Sequence, residues 1–178
     1  MTLRLKLTVI IGTLISVMLL LMPVVFPLTG NQGPDLVAAL GRFHILALHF
    51  PIALLLMVPV FEILGLFQSL RYLKQASYVL LILAILSAAK VCVLGYMLAS
   101  GEGDSGGLIV SHMWAGIITT ILMIIALVLK EVLLQAPNKL LFSSYYTVLA
   151  ASIVSLIIGS HDGASLVHGE DYLYARFP

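Results

Sequence analysis

The sequence predicts an all-α integral membrane protein with five transmembrane helices, and composition, hydropathy and segment length are the observations that predict it. Hydrophobic residues make up 61% of the 178 residues and charged residues only 10%, and the mean hydropathy is +1.15. A soluble domain carries about 25% charged residues because it must cover itself with polar surface. A helix of about 20 apolar residues crosses a bilayer, and five apolar segments of the chain are at least that long. The net charge of +1 provides no basic surface for nucleic acid.

The five predicted spans follow one another with short polar breaks between them. They cover residues 7–28, 43–67, 76–99, 108–129 and 140–159. We interpret the first as an uncleaved helix, because its apolar part is too long for a signal peptide and lacks a small-x-small cleavage site. The predicted division is an N-terminal transmembrane helix (1–29), an outer loop with a short interfacial helix (30–42), a four-helix membrane bundle (43–161) and an outer polar tail (162–178).

The distribution of charges predicts the orientation in the membrane. One set of span ends carries cations: Arg4, Lys6, Arg71, Lys74, Lys130 and Lys139. The other set carries six acids and only two cations: Asp35, Glu102, Asp104, Asp162, Glu170 and Asp171, with Arg42 and Arg176. Because lysine and arginine favour the cytoplasmic side, we expect a cytoplasmic N-terminus and an outer C-terminus in the bacterial inner membrane.

All five histidines fall at the outer ends of their spans: His44, His49, His112, His161 and His168. Neutral imidazole is the commonest metal ligand and a frequent axial ligand of heme iron. His49 and His112 should lie at similar depth inside their helices, which predicts them as the first ligand pair. His44 with His161 or His168 would form a second pair nearer the surface. The alternative for each histidine is a tolerated residue at the headgroup level.

Three further residues complete the candidate set. Gly116 is one turn below His112, and its small size would leave room for a flat heme. Lys90 lies in the middle of the third span, where it could pair with a heme propionate, a backbone carbonyl, or reach the surface by snorkelling. Glu62 should lie near the cytoplasmic boundary, where we expect a solvated interfacial acid. Cys92 is the only cysteine, so the chain cannot attach a c-type heme through Cys-x-x-Cys-His.

Part of the chain resembles a known family. His44-x-x-x-x-His49-Phe-Pro-Ile-Ala resembles the HP-x-x-x-HFPI signature of a family of small bacterial membrane proteins. Residues 159–173 resemble the GH-x-GG-x-L-x-HG-x-x-YL ending of its members that are associated with c-type cytochromes, and residues 95–99 and 112–116 look like the same subgroup. The chain departs from the pattern at Ile45, where the family often has proline, and at Ser160, which separates Gly159 from His161. The resemblance covers about residues 41–173 and implies an outer-facing membrane module that works beside cytochromes.

These observations predict a membrane electron-transfer subunit with one or two b-type hemes near the outer face. It would relay electrons between a quinol pool, or a membrane enzyme, and an outer c-type cytochrome, with quinone as a further candidate ligand. We expect a non-catalytic or accessory subunit of an oxidoreductase complex, and the sequence leaves its own enzymatic activity open. Two alternatives remain at this stage: a structural subunit of a respiratory complex without its own cofactor, and a copper- or zinc-binding membrane protein.

Overall fold

The chain folds into helices, and a computed structural model describes residues 2–169 and 171–173. The helices are α1 (Leu3–Val25), α2 (Asp35–Gly41), α3 (Phe43–Ala47), α4 (His49–Leu64), α5 (Leu73–Glu102), α6 (Gly107–Gln135) and α7 (Lys139–His168), with a 3-10 turn at Gln68–Leu70. No β-strand occurs in the described ranges. Five helices are long and apolar enough to cross a membrane when α2 to α4 are counted as one unit. The predicted all-helical class is therefore confirmed, and the number of helices that could cross a membrane equals the five predicted spans.

The helix α7 differs most from its predicted bounds, because it continues past Gly159 to His168. His161 and His168 therefore both lie on this helix, although His168 falls within the predicted outer polar tail. Hydropathy marks where lipid contact ends, but a helix can continue into water because its backbone hydrogen bonds are internal. Residues 170 and 174–178 of the predicted tail lie outside the described residues.

The main apolar core lies between α4, α5, α6 and α7. Its buried members include Leu55 on α4, Leu81 on α5, Met123 on α6 and Leu149 on α7. The helix α1 packs outside this core against α5 and α6, where Leu19 is fully buried. Many other large apolar side chains are exposed on the outer faces of the helices, as expected where lipid is the neighbour.

The short helix predicted within 30–42 exists as α2, and its backbone lies directly against α5. A Cβ atom at Gly41 would lie 2.3 Å from the Leu98 amide nitrogen, and one at Gly101 would lie 2.5 Å from the Ala38 amide nitrogen. Only glycine allows two backbones to approach so closely. This contact fixes the start of α3 over the C-terminal part of α5, and α3 carries His44.

Consecutive long helices run in opposite directions, so the molecule has two polar ends. The histidine end combines α2, α3, the end of α5, the start of α6 and the end of α7. The carboxylate end combines the end of α4, the start of α5, the end of α6 and the start of α7, and it holds Glu62 and Glu131.

Candidate functional site

His44 and His112 form a pair at the histidine end. Their ring centroids are 6.0 Å apart and their ring planes are perpendicular, at 89°. Both side chains are partly buried. The pair brings together α3 and α6, two helices whose sequences are far apart in the chain, so tertiary packing alone creates it.

A backbone carbonyl of a neighbouring helix holds each of the two rings. The His44 Nδ1 lies 2.9 Å from the Val91 carbonyl oxygen on α5, and the His112 Nδ1 lies 2.7 Å from the Gly159 carbonyl oxygen on α7. A carbonyl oxygen only accepts hydrogen bonds, so Nδ1 must be the protonated donor in both rings. In its neutral form, an imidazole held in this way keeps the lone pair of Nε2 for a ligand, as is usual for metal-bound histidine.

Two glycines give the rings their space. A Cβ atom at Gly95 would lie 2.8 Å from the His44 Nδ1, and a Cβ atom at Gly163 would lie 2.9 Å from the His112 Cε1. A real side chain at either position would push the imidazole off its carbonyl partner. Gly95 and Gly163 therefore position the two histidines.

The 6.0 Å between the ring centroids equals the spacing expected if two imidazole nitrogens face one metal ion in line. Two metal–nitrogen bonds of about 2 Å each, plus about 1.1 Å from each ring centre to its nitrogen, give about 6 Å between centroids. The described residues contain no group of three or more His, Cys, Asp or Glu side chains that could hold a metal ion. Structural zinc sites use four protein ligands and catalytic ones use three, whereas a heme iron takes its other four ligands from the porphyrin and needs only two axial residues. Two imidazoles thus match the number of protein ligands that a heme iron would need.

The predicted pairing of His49 with His112 does not match this arrangement, because His44 occupies the position next to His112. The His49 side chain is exposed. His44 and His49 are five residues apart, so their side chains differ by about 140° around the helix axis. Because α3 directs the His44 side chain towards α5, the His49 side chain points away from α5. The sequence does not predict the rotation of α3, which turns His44 towards Val91 and Gly95 on α5.

His161 and His168 lie at the exposed end of α7, and Tyr172 lies between them. The ring centroids of His161 and His168 are 5.7 Å and 6.0 Å from that of Tyr172, and the His161 Nδ1 lies 3.2 Å from the tyrosine hydroxyl. The structure does not place either histidine beside His44, so the predicted second pair is not formed in this geometry. Both side chains are exposed.

Gly116 and Lys90, the other predicted site residues, lie beside the pair and not within it. A Cβ atom at Gly116 would lie 3.5 Å from the Cys92 sulfur, so this glycine lies at the contact of α6 with α5. Lys90 precedes Val91, whose carbonyl holds His44, but its own side chain is exposed on the outer surface of α5. Within the described ranges Lys90 has no salt-bridge partner.

A hydroxyl–carboxylate contact joins α6 and α7 next to the pair. The Ser111 hydroxyl donates to the Asp162 Oδ2 at 2.7 Å. Because the Nδ1 atom of His112 is already committed to a carbonyl, the neighbouring serine, histidine and aspartate do not form the relay of a hydrolase. This contact therefore supports the helix packing around His112.

The carboxylate end holds a buried ion pair that sequence reasoning missed. Glu62 and Lys130 are each 4% exposed and form a salt bridge. The Ser77 hydroxyl donates to the Glu62 Oε1 at 2.7 Å, and the hydroxyls of Tyr145 and Tyr146 donate to Oε1 and Oε2 at 3.0 Å and 3.2 Å. The expectation that Glu62 is a solvated interfacial acid is wrong. The signal in the sequence was the occurrence of an acid, a lysine and a tyrosine pair at corresponding ends of three spans.

Glu131 forms a second buried cluster, about 100° around α6 from Lys130. Its carboxylate accepts hydrogen bonds from the hydroxyls of Thr8, at 2.9 Å, and Tyr78, and the Arg4 Nε lies 3.4 Å away. Glu131 is fully buried, and its Oε2 has no hydrogen-bond partner among residues 2–169 and 171–173. This cluster attaches α1 to α5 and α6 through polar contacts.

No family model matches this chain, and neither a curated protein nor a solved structure matches it. The family resemblance of residues 41–173 therefore stays a prediction.

Proposed function

We propose that this chain is a membrane electron-transfer subunit that binds a b-type heme between His44 and His112. The observation that carries the proposal is the geometry of the pair: perpendicular rings 6.0 Å apart, each with Nδ1 held by a carbonyl and Nε2 left for iron. A heme held by these two histidines would transfer single electrons and would offer a substrate no open position. The protein would contribute ligation, ring orientation and a largely apolar surrounding, which tune the potential.

The proposed location follows from the charges at the two ends. Arg4, Lys6, Arg71, Lys74 and Lys139 lie at the carboxylate end, whereas Asp35, Glu102, Asp104 and Asp162 lie at the histidine end. By the positive-inside rule the histidine end would face the outside of a bacterial inner membrane. There the heme would exchange electrons between a quinol pool or a membrane enzyme and an outer c-type cytochrome.

An absorption spectrum of the purified chain tests the heme, with the heme-to-protein ratio measured on the same sample. We expect a Soret band, α-bands that sharpen on reduction, and one heme per chain. His44→Ala and His112→Ala should each abolish this spectrum, whereas the matched changes His49→Ala and His161→Ala should preserve it. Heme-free protein from cells supplied with excess heme would contradict the proposal. Loss of heme in His49→Ala alone would contradict the assignment of the ligands.

The second candidate is a structural subunit in which the histidines only join helices. The two imidazole–carbonyl hydrogen bonds favour it, because they link α3 to α5 and α6 to α7 without any cofactor. His112→Gln separates the two candidates, since a glutamine amide can still donate to a carbonyl but does not replace an axial imidazole. A structural role predicts retained assembly and electron flux in this variant, and a ligand role predicts loss of heme and of flux.

A further inference from the structure

Lys90 carries a charge on the outer, lipid-facing surface of α5. It shares a helix face with Val79, Leu83 and Leu86, which are 54%, 47% and 51% exposed. Charged residues inside membrane spans almost always face the interior of a bundle or pair with one another. Within the described part of the chain Lys90 neither faces the interior of the bundle nor pairs with another charge. Its charge must therefore be neutralised in another way.

The depth of Lys90 argues against simple snorkelling to the surface. The helix α5 has 30 residues and is therefore about 45 Å long, against about 30 Å of hydrocarbon. About 18 Å of helix separate Lys90 from Glu102, and roughly 7 Å of that would project beyond the hydrocarbon if α5 is centred. The Lys90 Cα would then lie about 11 Å below the boundary, and a lysine side chain reaches roughly 6 Å. The ammonium group would remain several ångströms inside the apolar layer.

None of the chain's own acidic residues offers an exposed carboxylate at the depth of Lys90. Glu62 and Glu131 are buried in the clusters of the carboxylate end. The other six acids belong, by their place in the sequence, to the segments at the histidine end: Asp35, Glu102, Asp104, Asp162, Glu170 and Asp171. A second copy of this chain therefore offers no exposed carboxylate at the depth of Lys90.

We propose that the face of α5 formed by Val79, Leu83, Leu86 and Lys90 binds a transmembrane helix of a different protein, which carries an aspartate or glutamate at the depth of Lys90. The three aliphatic side chains supply the apolar contact, and the carboxylate neutralises the ammonium group where water cannot. Charge complementarity in a medium of low dielectric constant makes this contact selective for the acidic helix. The proposal is independent of the heme.

Cross-linking in native membranes tests the contact directly. A lipid-soluble carbodiimide joins an amine to a carboxylate only where the two groups touch, and mass spectrometry identifies the linked peptides. We expect Lys90 to be coupled to an acidic residue within an apolar segment of another polypeptide. The matched control Lys90→Arg keeps the charge but forms no such product, so it should retain the complex on native gels and lose the cross-link.

Lys90→Met should reduce the amount of complex by at least tenfold, while the yield of the isolated chain and its heme spectrum stay unchanged. Three outcomes would overturn the proposal. The first is labelling of Lys90 by a membrane-impermeant amine reagent. The second is an unchanged complex in Lys90→Met. The third is the absence of a carbodiimide product at Lys90, or a product in which Lys90 is joined only to a heme propionate. Because the heme is measured separately, failure of this inference and failure of the heme proposal are distinguishable.

Discussion

At the carboxylate end, the charge of Glu62 is met by Lys130 and by hydroxyls from α5 and α7, so that both of its oxygens are used. At the histidine end, His44 and His112 each have one nitrogen held by a carbonyl and one left without a hydrogen bond in the described residues. A fully satisfied polar cluster stabilises helix packing, whereas a held ring with a free lone pair is suited to bind something. The comparison therefore indicates that the Glu62 cluster stabilises helix packing, and it supports the proposal that the histidine pair binds a ligand.

Breaking the buried ion pair should have the largest effect on stability. Glu62→Ala leaves Lys130 buried without its counter-charge, and we expect a loss of about 3–5 kcal/mol in the free energy of unfolding. The double change Glu62→Gln with Lys130→Met removes both charges and should cost much less. Thermal unfolding in detergent, followed by circular dichroism, measures both variants.

The exposed pair of Arg42 and Glu102, with nitrogen and oxygen 3.5 Å apart, is the matched control. Glu102→Gln should change stability by at most about 1 kcal/mol, because such a pair is solvated. Equal losses for Glu62→Ala and Glu102→Gln would refute the assignment of stability to the carboxylate end. Retention of the heme spectrum in folded double-mutant protein would support the separation of the two ends.

Adding a methyl group beside a ring should affect the histidine end selectively. Gly95→Ala and Gly163→Ala place a Cβ within 3 Å of His44 or His112, so the ring must move. Overpacking of this kind costs about 1–3 kcal/mol, and we expect heme content to fall several-fold. Gly106→Ala is the control, because its Cβ would meet nothing within 4 Å. Heme content is measured by absorbance, and unchanged content in both variants would show that the rings do not depend on these glycines.

The five spans could be predicted from the sequence, because apolar length alone decides whether a helix can cross a bilayer. The rotation of each helix about its axis could not be predicted from the sequence. Lipid and the protein interior are equally apolar, so the hydrophobic pattern does not distinguish the lipid-facing side of a helix from its buried side. For this reason the sequence favours His49 over His44 as the partner of His112 and predicts a solvated Glu62. Gly163 and the carbonyls of Val91 and Gly159 gave no usable signal, because their roles depend on which helices touch.

The smallest effect should come from one hydroxyl at the carboxylate end. Tyr146→Phe removes the donor at 3.2 Å from the Glu62 Oε2, and Tyr145→Phe removes the one at 3.0 Å from Oε1. Hydrogen bonds within membrane helices are worth about 0.6 kcal/mol on average. Tyr145 is 1% exposed, whereas Tyr146 is only partly buried, so water can replace the second hydroxyl more readily than the first. We therefore expect a smaller loss of unfolding free energy for Tyr146→Phe than for Tyr145→Phe, and the reverse order would show that Oε2 is the oxygen on which the ion pair depends.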